Sequence, residues 1–293
     1  MTTRSQHTIA RAAAVHGVGF LTGADVTLRF LPALENEGIS FRRTDLVGTP
    51  RVPAKVEYTV ARQRRTAIER GGATIELVEH VMAALAGLQI DNCRVELDAP
   101  EPPGGDGSSQ AFADALLRAG IVELDSPRRS VTLRHPVSCG EGNQTILGMP
   151  HAKGGLTIRY TLDYGPNSPI VPQFFEVDVT PEAFLNDIVY ARTFVLEQEA
   201  LALRAMGYGR RTTARDLLIF GHDGVIDNTL RAPDECARHK LLDCIGDFAL
   251  AGCDLVGRVE ANRSGHTHNA EFVRRLKQSH SAEFWQRPES RAA

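Results

Sequence analysis

Alternation of apolar and polar residues predicts β-strands along much of the chain. The predicted strands cover residues 8–12, 26–32, 38–43, 92–97, 131–137, 156–162, 173–179 and 254–260. Apolar residues at helical spacing predict helices at residues 74–88, 110–118, 196–206, 233–252 and 266–276. The spacing of the strands at 26–32 and 38–43 suggests that they pair antiparallel. The polar stretch 123–129 is predicted to be a linker.

The order of these elements repeats once along the chain. In the first half, a helix carrying His80 near its start is followed by a strand, a glycine-bearing loop and a second helix. In the second half, the helix carrying His239 is followed by the same series. We interpret the repeat as an internal duplication. The predicted fold class is therefore α+β, with two similar domains, 1–126 and 127–293, whose helices pack on β-sheets and which face each other. The polar residues from 281 onward are expected to form a loose C-terminal tail.

The predicted helix 233–252, PDECARHKLLDCIGDFALAG, is apolar nearly all round, which is typical of a buried helix. Along one stripe of it, His239, Asp243 and Asp247 recur at i, i+4 and i+8. Buried ionisable groups are costly unless they are paired or bind a metal. Two interpretations follow. The residues could coordinate one metal ion, or an aspartate could simply be hydrogen-bonded to a core histidine. The spacing by itself favours neither interpretation.

If the two domains face each other, His80 can lie close to His239 and Asp243 at the domain interface. The three side chains would then make three protein ligands for one metal ion. Three ligands and one open position are the catalytic arrangement for Zn²⁺, and a His/His/Asp set with open positions also accepts Fe²⁺. Glu79 lies about 100° round the helix from His80, where it could take a proton from water. The HExxH sequence of metalloprotease helices is absent.

Three further residues extend this hypothesis. Asp247, one turn beyond Asp243, suits the task of holding His266 at the start of the last predicted helix. An Asp–His pair near a metal would stay partly protonated and could donate a proton to a leaving group. Lys240 could reach a phosphate, or it could be an ordinary surface lysine whose stem packs on apolar residues. Histidines without a partner at helical spacing are interpreted as structural or surface residues: His135, His151, His222, His268 and His280.

Composition limits the functions open to the chain. Its 293 residues allow two medium-sized domains or one large domain. A net charge of −3 does not favour nucleic-acid binding. Five cysteines without a CxxC pair favour a reducing compartment over a disulfide framework. No stretch approaches the ~20 apolar residues of a membrane span, and the N-terminal residues lack the apolar core of a secretory signal. We therefore expect a cytoplasmic monomer without a transmembrane segment, with peripheral membrane contact left open.

Eight short strings carry a resemblance that covers residues from about 8 to 276. They are GVGFLTG (17–23), GISFRRTD (38–45), VEH with AALAG (78–80 and 83–87), IDN (90–92), DGS (106–108), ARTF (191–194), RHKLLDCIGD (238–247) and SGH (264–266). Together, and in this order, they resemble the zinc-dependent deacetylase family of lipid A biosynthesis, the UDP-3-O-acyl-N-acetylglucosamine deacetylases.

The resemblance implies two α+β domains with the active site between them, and an insert in each domain at about 45–70 and 190–211. The second insert would shape an apolar passage for the substrate's acyl chain. The implied reaction is hydrolysis of the N-acetyl group of UDP-3-O-acyl-N-acetylglucosamine, which releases acetate and is an early committed step of lipid A synthesis.

Carried over residue by residue, the family's site falls largely on residues that spacing also selects, whereas Thr193, Phe194 and Arg263 come only from the resemblance. The implied roles are zinc ligands for His80, His239 and Asp243; general base for Glu79; oxyanion stabilisation and protonation of the leaving amine for His266; orientation of that histidine for Asp247; a hydroxyl near the oxyanion for Thr193; and substrate binding for Phe194, Arg263 and Lys240, the last at a phosphate of the nucleotide.

The chain departs from the family's usual pattern at three places. Leu21 stands where the family usually has a histidine, Val195 stands where it usually has a glycine, and a cysteine often found near Arg65 is missing. The predicted metal ligands and acid–base residues are all present, so the three departures bear on which substrate is accepted rather than on the type of reaction. They leave open a divergent paralogue that deacetylates another acylated amino sugar, or one that only binds the nucleotide-sugar as a regulatory module. Intact Glu79 and His266 argue against a module that only binds.

Overall fold

The computed structural model of the protein describes residues 4–280, so the predicted C-terminal tail lies outside the described residues. The strands, in chain order, are β1 (Ser5–Ile9), β2 (Ala13–Val18), β3 (Asp25–Pro32), β4 (Ile39–Arg43), β5 (Arg51–Pro53), β6 (Thr59–Val60), β7 (Ala67–Arg70), β8 (Ala73–Ile75), β9 (Cys93–Leu97), β10 (Ile121–Pro127), β11 (Ser130–Thr132), β12 (Val137–Glu141), β13 (Gln144–Met149), β14 (Leu156–Leu162), β15 (Gln173–Asp178), β16 (Phe194–Leu196), β17 (Leu218–Gly221), β18 (Gly224–Val225) and β19 (Asp254–Asn262). The helices are α1 (Glu79–Gly87), α2 (Gln110–Ala119), α3 (Pro181–Ala183), α4 (Glu197–Ala205), α5 (Glu235–Phe248) and α6 (His266–Ser279). This mixture confirms the predicted α+β class.

Two sheets with the same strand order and the same relative directions form the framework. The first has the order β2-β3-β9-β4-β5, in which β9 is antiparallel to β3 and parallel to β4. The second contains the path β12-β13-β19-β14-β15, in which β19 is antiparallel to β13 and parallel to β14. In both sheets the outer strands pair antiparallel with their neighbours.

The sheet order corrects one predicted pairing. The strands at 26–32 and 38–43 do not pair with each other, because β9 lies between β3 and β4. The side chains of Cys93, Val95 and Leu97 on β9 are fully buried, so this strand takes the central position. A strand that arrives later in the chain can separate two earlier ones whenever its own apolar face requires more burial than an edge provides.

Helices α1 and α5 pack against each other so closely that their backbones touch. A Cβ atom added at Gly246 would lie 2.1 Å from the carbonyl oxygen of Glu79, a distance that no real Cβ tolerates. The helix therefore needs glycine at this position. Helix α5 continues into a short 3₁₀ turn, Ala249–Ala251, and ends at Gly252, whose φ of 75° is the left-handed conformation that glycine adopts readily at a helix end.

The start of one predicted helix is wrong, and one predicted linker is a strand. Thr74 does not cap a helix, because Ala73–Ile75 is strand β8, which pairs with β7, and the helix begins only at Glu79. Leu77, with a φ of 56°, separates the strand from the helix. The predicted linker 123–129 is largely strand β10, which pairs antiparallel with β1 and so satisfies its backbone groups in a sheet rather than in water.

Two small sheets overlap the predicted insert ranges only in part. Strands β6, β7 and β8 form one of them, and strands β16, β17 and β18 form the other. Both sheets extend past the predicted ends at 70 and 211. An ion pair between Arg64 and Glu199 joins the two insert regions.

The helices within residues 4–280 include none with the length and apolar character needed to cross a membrane.

Candidate active site

His80, His239 and Asp243 meet where α1 packs against α5. One ligand atom from each lies within 4.8 Å of the others. The Nε2 atoms of His80 and His239 lie 3.6 Å and 3.5 Å from Oδ1 of Asp243. The rings of the two histidines are nearly perpendicular, with centroids 5.0 Å apart. The structure therefore brings together the three residues that were predicted as metal ligands, two from one helix and one from the other.

The donor atoms of this set suit a metal ion. Oδ1 of Asp243 is buried and has no hydrogen-bond partner within the described residues, which is costly for a carboxylate oxygen unless a cation satisfies it. His239 donates its Nδ1 proton to the carbonyl of Ala191 at 3.1 Å, so its Nε2 is left as the unprotonated nitrogen facing the aspartate. Burial lowers the pKa of His239 to about 3, which keeps the imidazole neutral, as a metal ligand must be.

Lys240 contacts the remaining oxygen of Asp243. Its Nζ donates to Oδ2 at 2.7 Å, and its side chain is only 16% exposed. Burial alone would raise the pKa of Asp243, but the positive charge of Lys240, together with His239 and His266, holds it well below its usual range. Lys240 is therefore not a lysine that extends into solvent, and its amine lies at the wall of the site next to a predicted ligand.

Glu79, His266 and Asp247 form a second group beside the first. His266 donates from Nδ1 to Oδ2 of Asp247 at 2.9 Å, which is the predicted orienting contact. Its Nε2 lies 3.9 Å from Oε1 of Glu79 and 3.8 Å from Oδ2 of Asp243, so this nitrogen points towards the metal set. The base candidate and the acid candidate thus flank the same space.

Burial and charge oppose each other at these groups. Burial raises the pKa of the Glu79 carboxyl, although His266 and His80 counter the effect. Burial would lower the pKa of His266, but the carboxylates of Asp247, Glu79 and Asp243 outweigh it and raise that pKa to about 9. A carboxyl with a raised pKa beside an imidazole with a raised pKa is a pair that can both accept and deliver a proton.

Sequence reasoning missed two residues that hold this second group. Asn269 donates from Nδ2 to Oδ2 of Asp247 at 2.8 Å, and Thr66 donates from its hydroxyl to Oδ1 of the same carboxylate at 2.5 Å. Asn269 stands one turn after His266 on α6, a spacing that could have revealed it. Thr66 had no such signal, because its place depends on how the small sheet β6-β7-β8 folds back onto α1.

The three predicted ligands, with Glu79 and His266, line one large cavity of about 1120 Å³, enough for a ligand of considerable size, whereas Asp247 lies buried behind His266. Lys240 and the three residues taken from the resemblance, Thr193, Phe194 and Arg263, all line it. Thr193 donates its backbone N–H to the carbonyl of Gly107 at 2.8 Å. The Phe194 ring stacks edge-on against the His239 ring, with centroids 6.1 Å apart.

Other lining residues bear on the departures from the family pattern. Leu21 and Val195 both face the cavity, and apolar residues of α4 and β17 continue the same wall, including Leu203 and Ile219. His268 also lines the cavity, so it belongs to the site's surroundings rather than to a remote surface.

A His/His/Asp set, two of its members buried, beside a Glu/His/Asp group in a mixed α+β fold is the arrangement of a metal-dependent hydrolase. Comparison with known families places the chain more narrowly. The sequence model of the family LpxC, UDP-3-O-acyl N-acetylglycosamine deacetylase, matches residues 6–278. The chain belongs to this family, and the resemblance noted in the sequence is confirmed.

Individual relatives match over nearly the whole chain. The UDP-3-O-acyl-N-acetylglucosamine deacetylase of Myxococcus xanthus (strain DK1622) is 37% identical over 274 residues, which cover 93% of this chain and 86% of the relative. The protein of the same description from Anaeromyxobacter dehalogenans (strain 2CP-C) is 36% identical, with 94% and 88% covered. A protein of Chlorobaculum tepidum (strain ATCC 49652 / DSM 12025 / NBRC 103806 / TLS), described as a bifunctional enzyme LpxC/FabZ, is 35% identical over 93% of this chain but only 64% of its own length.

Proposed function

We propose that the protein hydrolyses the N-acetyl group of UDP-3-O-acyl-N-acetylglucosamine, releasing acetate and a free 2-amine, as a step of lipid A synthesis. Family membership supports the substrate, and one observation supports the chemistry. Oδ1 of Asp243 is buried without a hydrogen bond in the described structure and lies about equally far from the Nε2 atoms of His80 and His239. An unpaired carboxylate oxygen between two imidazole nitrogens has the chemistry of an ion site.

We assign the metal to His80, His239 and Asp243, and we propose zinc, with Fe²⁺ as the alternative for the same donor set. A zinc ion held there would polarise the acetamide carbonyl and acidify water. Lys240 shares Asp243 with that site, and its proposed contact with a substrate phosphate requires the amine to turn away from Oδ2.

The chain's own residues supply the proton transfers. Glu79 accepts a proton from the water whose oxygen bonds to the acetyl carbon. His266 donates a proton from Nε2 to the 2-amine as the C–N bond breaks, and Asp247 keeps its ring in place through the 2.9 Å contact at Nδ1. Thr193 presents a hydroxyl to the carbonyl oxygen, while Phe194 and Arg263 hold the substrate in the cavity.

We also propose that the framework arose by internal duplication. The common strand order and directions of the two large sheets support a unit that occurs twice, with domains 1–126 and 127–293. The proposed site then lies at the domain interface, since α1 carries His80 and α5 carries His239. The monomeric state and the cytoplasmic location stay predictions.

The second candidate function is deacetylation of a different acylated amino sugar. Leu21 and Val195 support it, because both face the cavity and both depart from the family's usual residues. A module that only binds the nucleotide-sugar is a weaker candidate, since Glu79 and His266 are intact and oriented towards each other.

Acetate release from UDP-3-O-acyl-N-acetylglucosamine by the zinc-loaded protein tests the proposal, with Glu79→Ala as the control variant. We expect turnover by the wild type and a kcat lower by about 10²–10⁴-fold in the variant, as for loss of a general base. Tight binding of the nucleotide-sugar without turnover would overturn the enzymatic proposal. Turnover confined to another acetylated amino sugar would establish the second candidate instead.

A further inference from the structure

Thr66 contacts both halves of the proposed acid–base machinery, although it belongs to neither. The residue directly precedes strand β7 in the small sheet of the first insert, and it is only 5% exposed. Its backbone N–H donates to Oε2 of Glu79 at 3.1 Å. Its hydroxyl donates to Oδ1 of Asp247 at 2.5 Å and lies 3.1 Å from Nδ1 of His266. One residue thus contacts the base, the acid and the carboxylate that orients the acid.

The backbone contact limits how the Glu79 carboxylate can turn. With Oε2 held by the N–H of Thr66, Oε1 is the oxygen that faces Nε2 of His266 at 3.9 Å. A carboxylate held at one oxygen presents the other in a defined direction. The base therefore points at the space shared with the acid.

The hydroxyl contact acts on the other carboxylate. Asn269 and His266 both donate to Oδ2 of Asp247, whereas Thr66 is the one donor to Oδ1 within residues 4–280. Without it, a buried carboxylate oxygen would lack a partner, and the carboxylate could rotate to satisfy that oxygen elsewhere. Rotation of Asp247 would turn the His266 ring with it, because the two are joined at Nδ1.

We propose that Thr66 is a positioning residue for the deacetylation proposed above, on which this inference rests. Its backbone directs Glu79, and its hydroxyl fixes the rotation of Asp247 and through it the ring of His266. The insert that carries Thr66 thereby aligns the groups that move protons.

Thr66→Val and Thr66→Ser separate the two contacts. Valine has nearly the same shape and keeps the backbone N–H to Glu79 but lacks the hydroxyl, whereas serine keeps both. We expect kcat for acetate release to fall roughly 10–100-fold in Thr66→Val, the range typical of lost orienting partners, with KM and zinc content unchanged. Thr66→Ser should retain most of the wild-type kcat. Loss of kcat in the serine variant equal to that in the valine variant would overturn the proposal.

A double-mutant cycle tests whether Thr66 acts through Asp247. If it does, Thr66→Val combined with Asp247→Asn should lose no more activity than Asp247→Asn alone. Full additivity of the two losses would show an independent effect and contradict the inference. If valine cannot be accommodated in the folded protein, Thr66→Ala replaces it in the same cycle.

A measurement that needs no turnover distinguishes failure of this inference from failure of the proposed function. In zinc-loaded protein labelled with ¹⁵N-histidine, the Nδ1–H resonance of His266 should move in Thr66→Val and stay in place in Thr66→Ser. An unchanged resonance in the valine variant would overturn the role of Thr66 even in an active enzyme. If the resonance shifts in Thr66→Val but the wild-type protein releases no acetate, the proposed function is rejected and the contact of Thr66 with the Asp247–His266 pair stands.

Discussion

Arg192 and Glu235 form an ion pair that water barely reaches. The guanidinium Nε and Nη2 atoms donate to Oε1 and Oε2 of the carboxylate at 2.8 Å and 3.0 Å, and the two side chains are 5% and 0% exposed. Glu235 begins α5, the helix of two proposed metal ligands, and Arg192 follows Ala191, whose carbonyl accepts the Nδ1 proton of His239. The ion pair therefore fixes the segment that orients His239.

Breaking this pair should destabilise the protein strongly. We expect Arg192→Ala to lower the free energy of unfolding by about 3–5 kcal/mol, because it leaves the Glu235 carboxylate buried and uncompensated. Arg64→Ala is the matched control. Arg64 is 55% exposed in its pair with Glu199, and exposed pairs contribute only about 0–1 kcal/mol. Urea unfolding of both variants measures the difference, and equal losses would contradict the distinction between buried and exposed pairs.

Metal content should depend on the proposed ligands and not on the proposed base. Asp243→Ala and His239→Ala each remove one of three ligand side chains, so the purified variants should hold far less zinc than the wild type. Glu79 is not a proposed ligand, so the Glu79→Gln variant should retain its zinc while losing turnover. Elemental analysis of the three variants beside the wild type provides the measurement. Equal zinc in all four proteins would reject the ligand assignment.

Removal of the metal should abolish acetate release reversibly. A chelator that strips the ion should stop turnover, and stoichiometric Zn²⁺ or Fe²⁺ should restore it, because the His/His/Asp donor set suits both ions. The ratio of the two restored rates would identify the better catalyst. Full activity of the metal-free protein would contradict the proposed chemistry.

The close approach of α1 and α5 predicts a specific effect of enlarging Gly246. In Gly246→Ala the new Cβ would meet the carbonyl oxygen of Glu79 at 2.1 Å, so the helices must separate. Overpacking typically costs about 1–3 kcal/mol, and here separation also moves His80 relative to Asp243. We expect lower stability together with weaker zinc binding. Gly154→Ala, where no heavy atom lies within 4 Å of the added Cβ, should change neither.

All five cysteines are free and buried, which predicts slow reaction with thiol reagents. Burial raises the pKa of Cys93 to about 12 and that of Cys139 and Cys253 to about 11. Because the thiolate is the reactive form, these side chains are almost entirely unreactive at neutral pH. Labelling should be much slower in native protein than after denaturation, where five thiols should react. Rapid labelling of the native protein would show that the structure around at least one cysteine opens and exposes the thiol to the reagent.

Val195 should influence the acyl chain length that the protein accepts. Val195→Ala removes two methyl groups from the cavity wall, so longer chains should gain in kcat/KM relative to shorter ones. A methylene in an apolar pocket is worth about 1–3 kcal/mol, so a roughly tenfold change in the ratio is expected. A series of substrates with different acyl chains measures it, with Val195→Thr as the control of similar size. An unchanged ratio would place the acyl chain elsewhere.

The sequence was informative where chemistry and helical period coincide. The stripe of His239, Asp243 and Asp247 could be identified because α5 places every fourth residue on one face, whatever surrounds the helix. The start of α1 could not be predicted from period alone. Thr74 and Ile75 fit a helical pattern as well as a strand, and their pairing with β7 decided between the two.

Contacts that depend on the tertiary fold could not be predicted from the spacing of residues along the sequence. Thr66 and Asp247 are 181 residues apart in sequence, and Arg192 and Glu235 are 43 apart. Thr66 meets Asp247 only because the small sheet β6-β7-β8 folds back onto α1 and α5, and Arg192 meets Glu235 only because the segment before β16 packs at the start of α5. The proposed ligands and acid–base residues could therefore be selected from the sequence, whereas the residues that hold them in position could not.

Because the proposed site takes residues from both α1 and α5, its residues are synthesised at widely separated times. Glu79 and His80 are made early, and the two proposed ligands on α5 follow more than 150 residues later. His266 comes later still, on the last helix of the described structure. A nascent chain that has reached only β18 therefore holds one histidine of the proposed metal set and no proton donor. Such a chain lacks two of the three proposed ligands and the proposed proton donor, so it cannot carry out the proposed hydrolysis before α5 and α6 have been made.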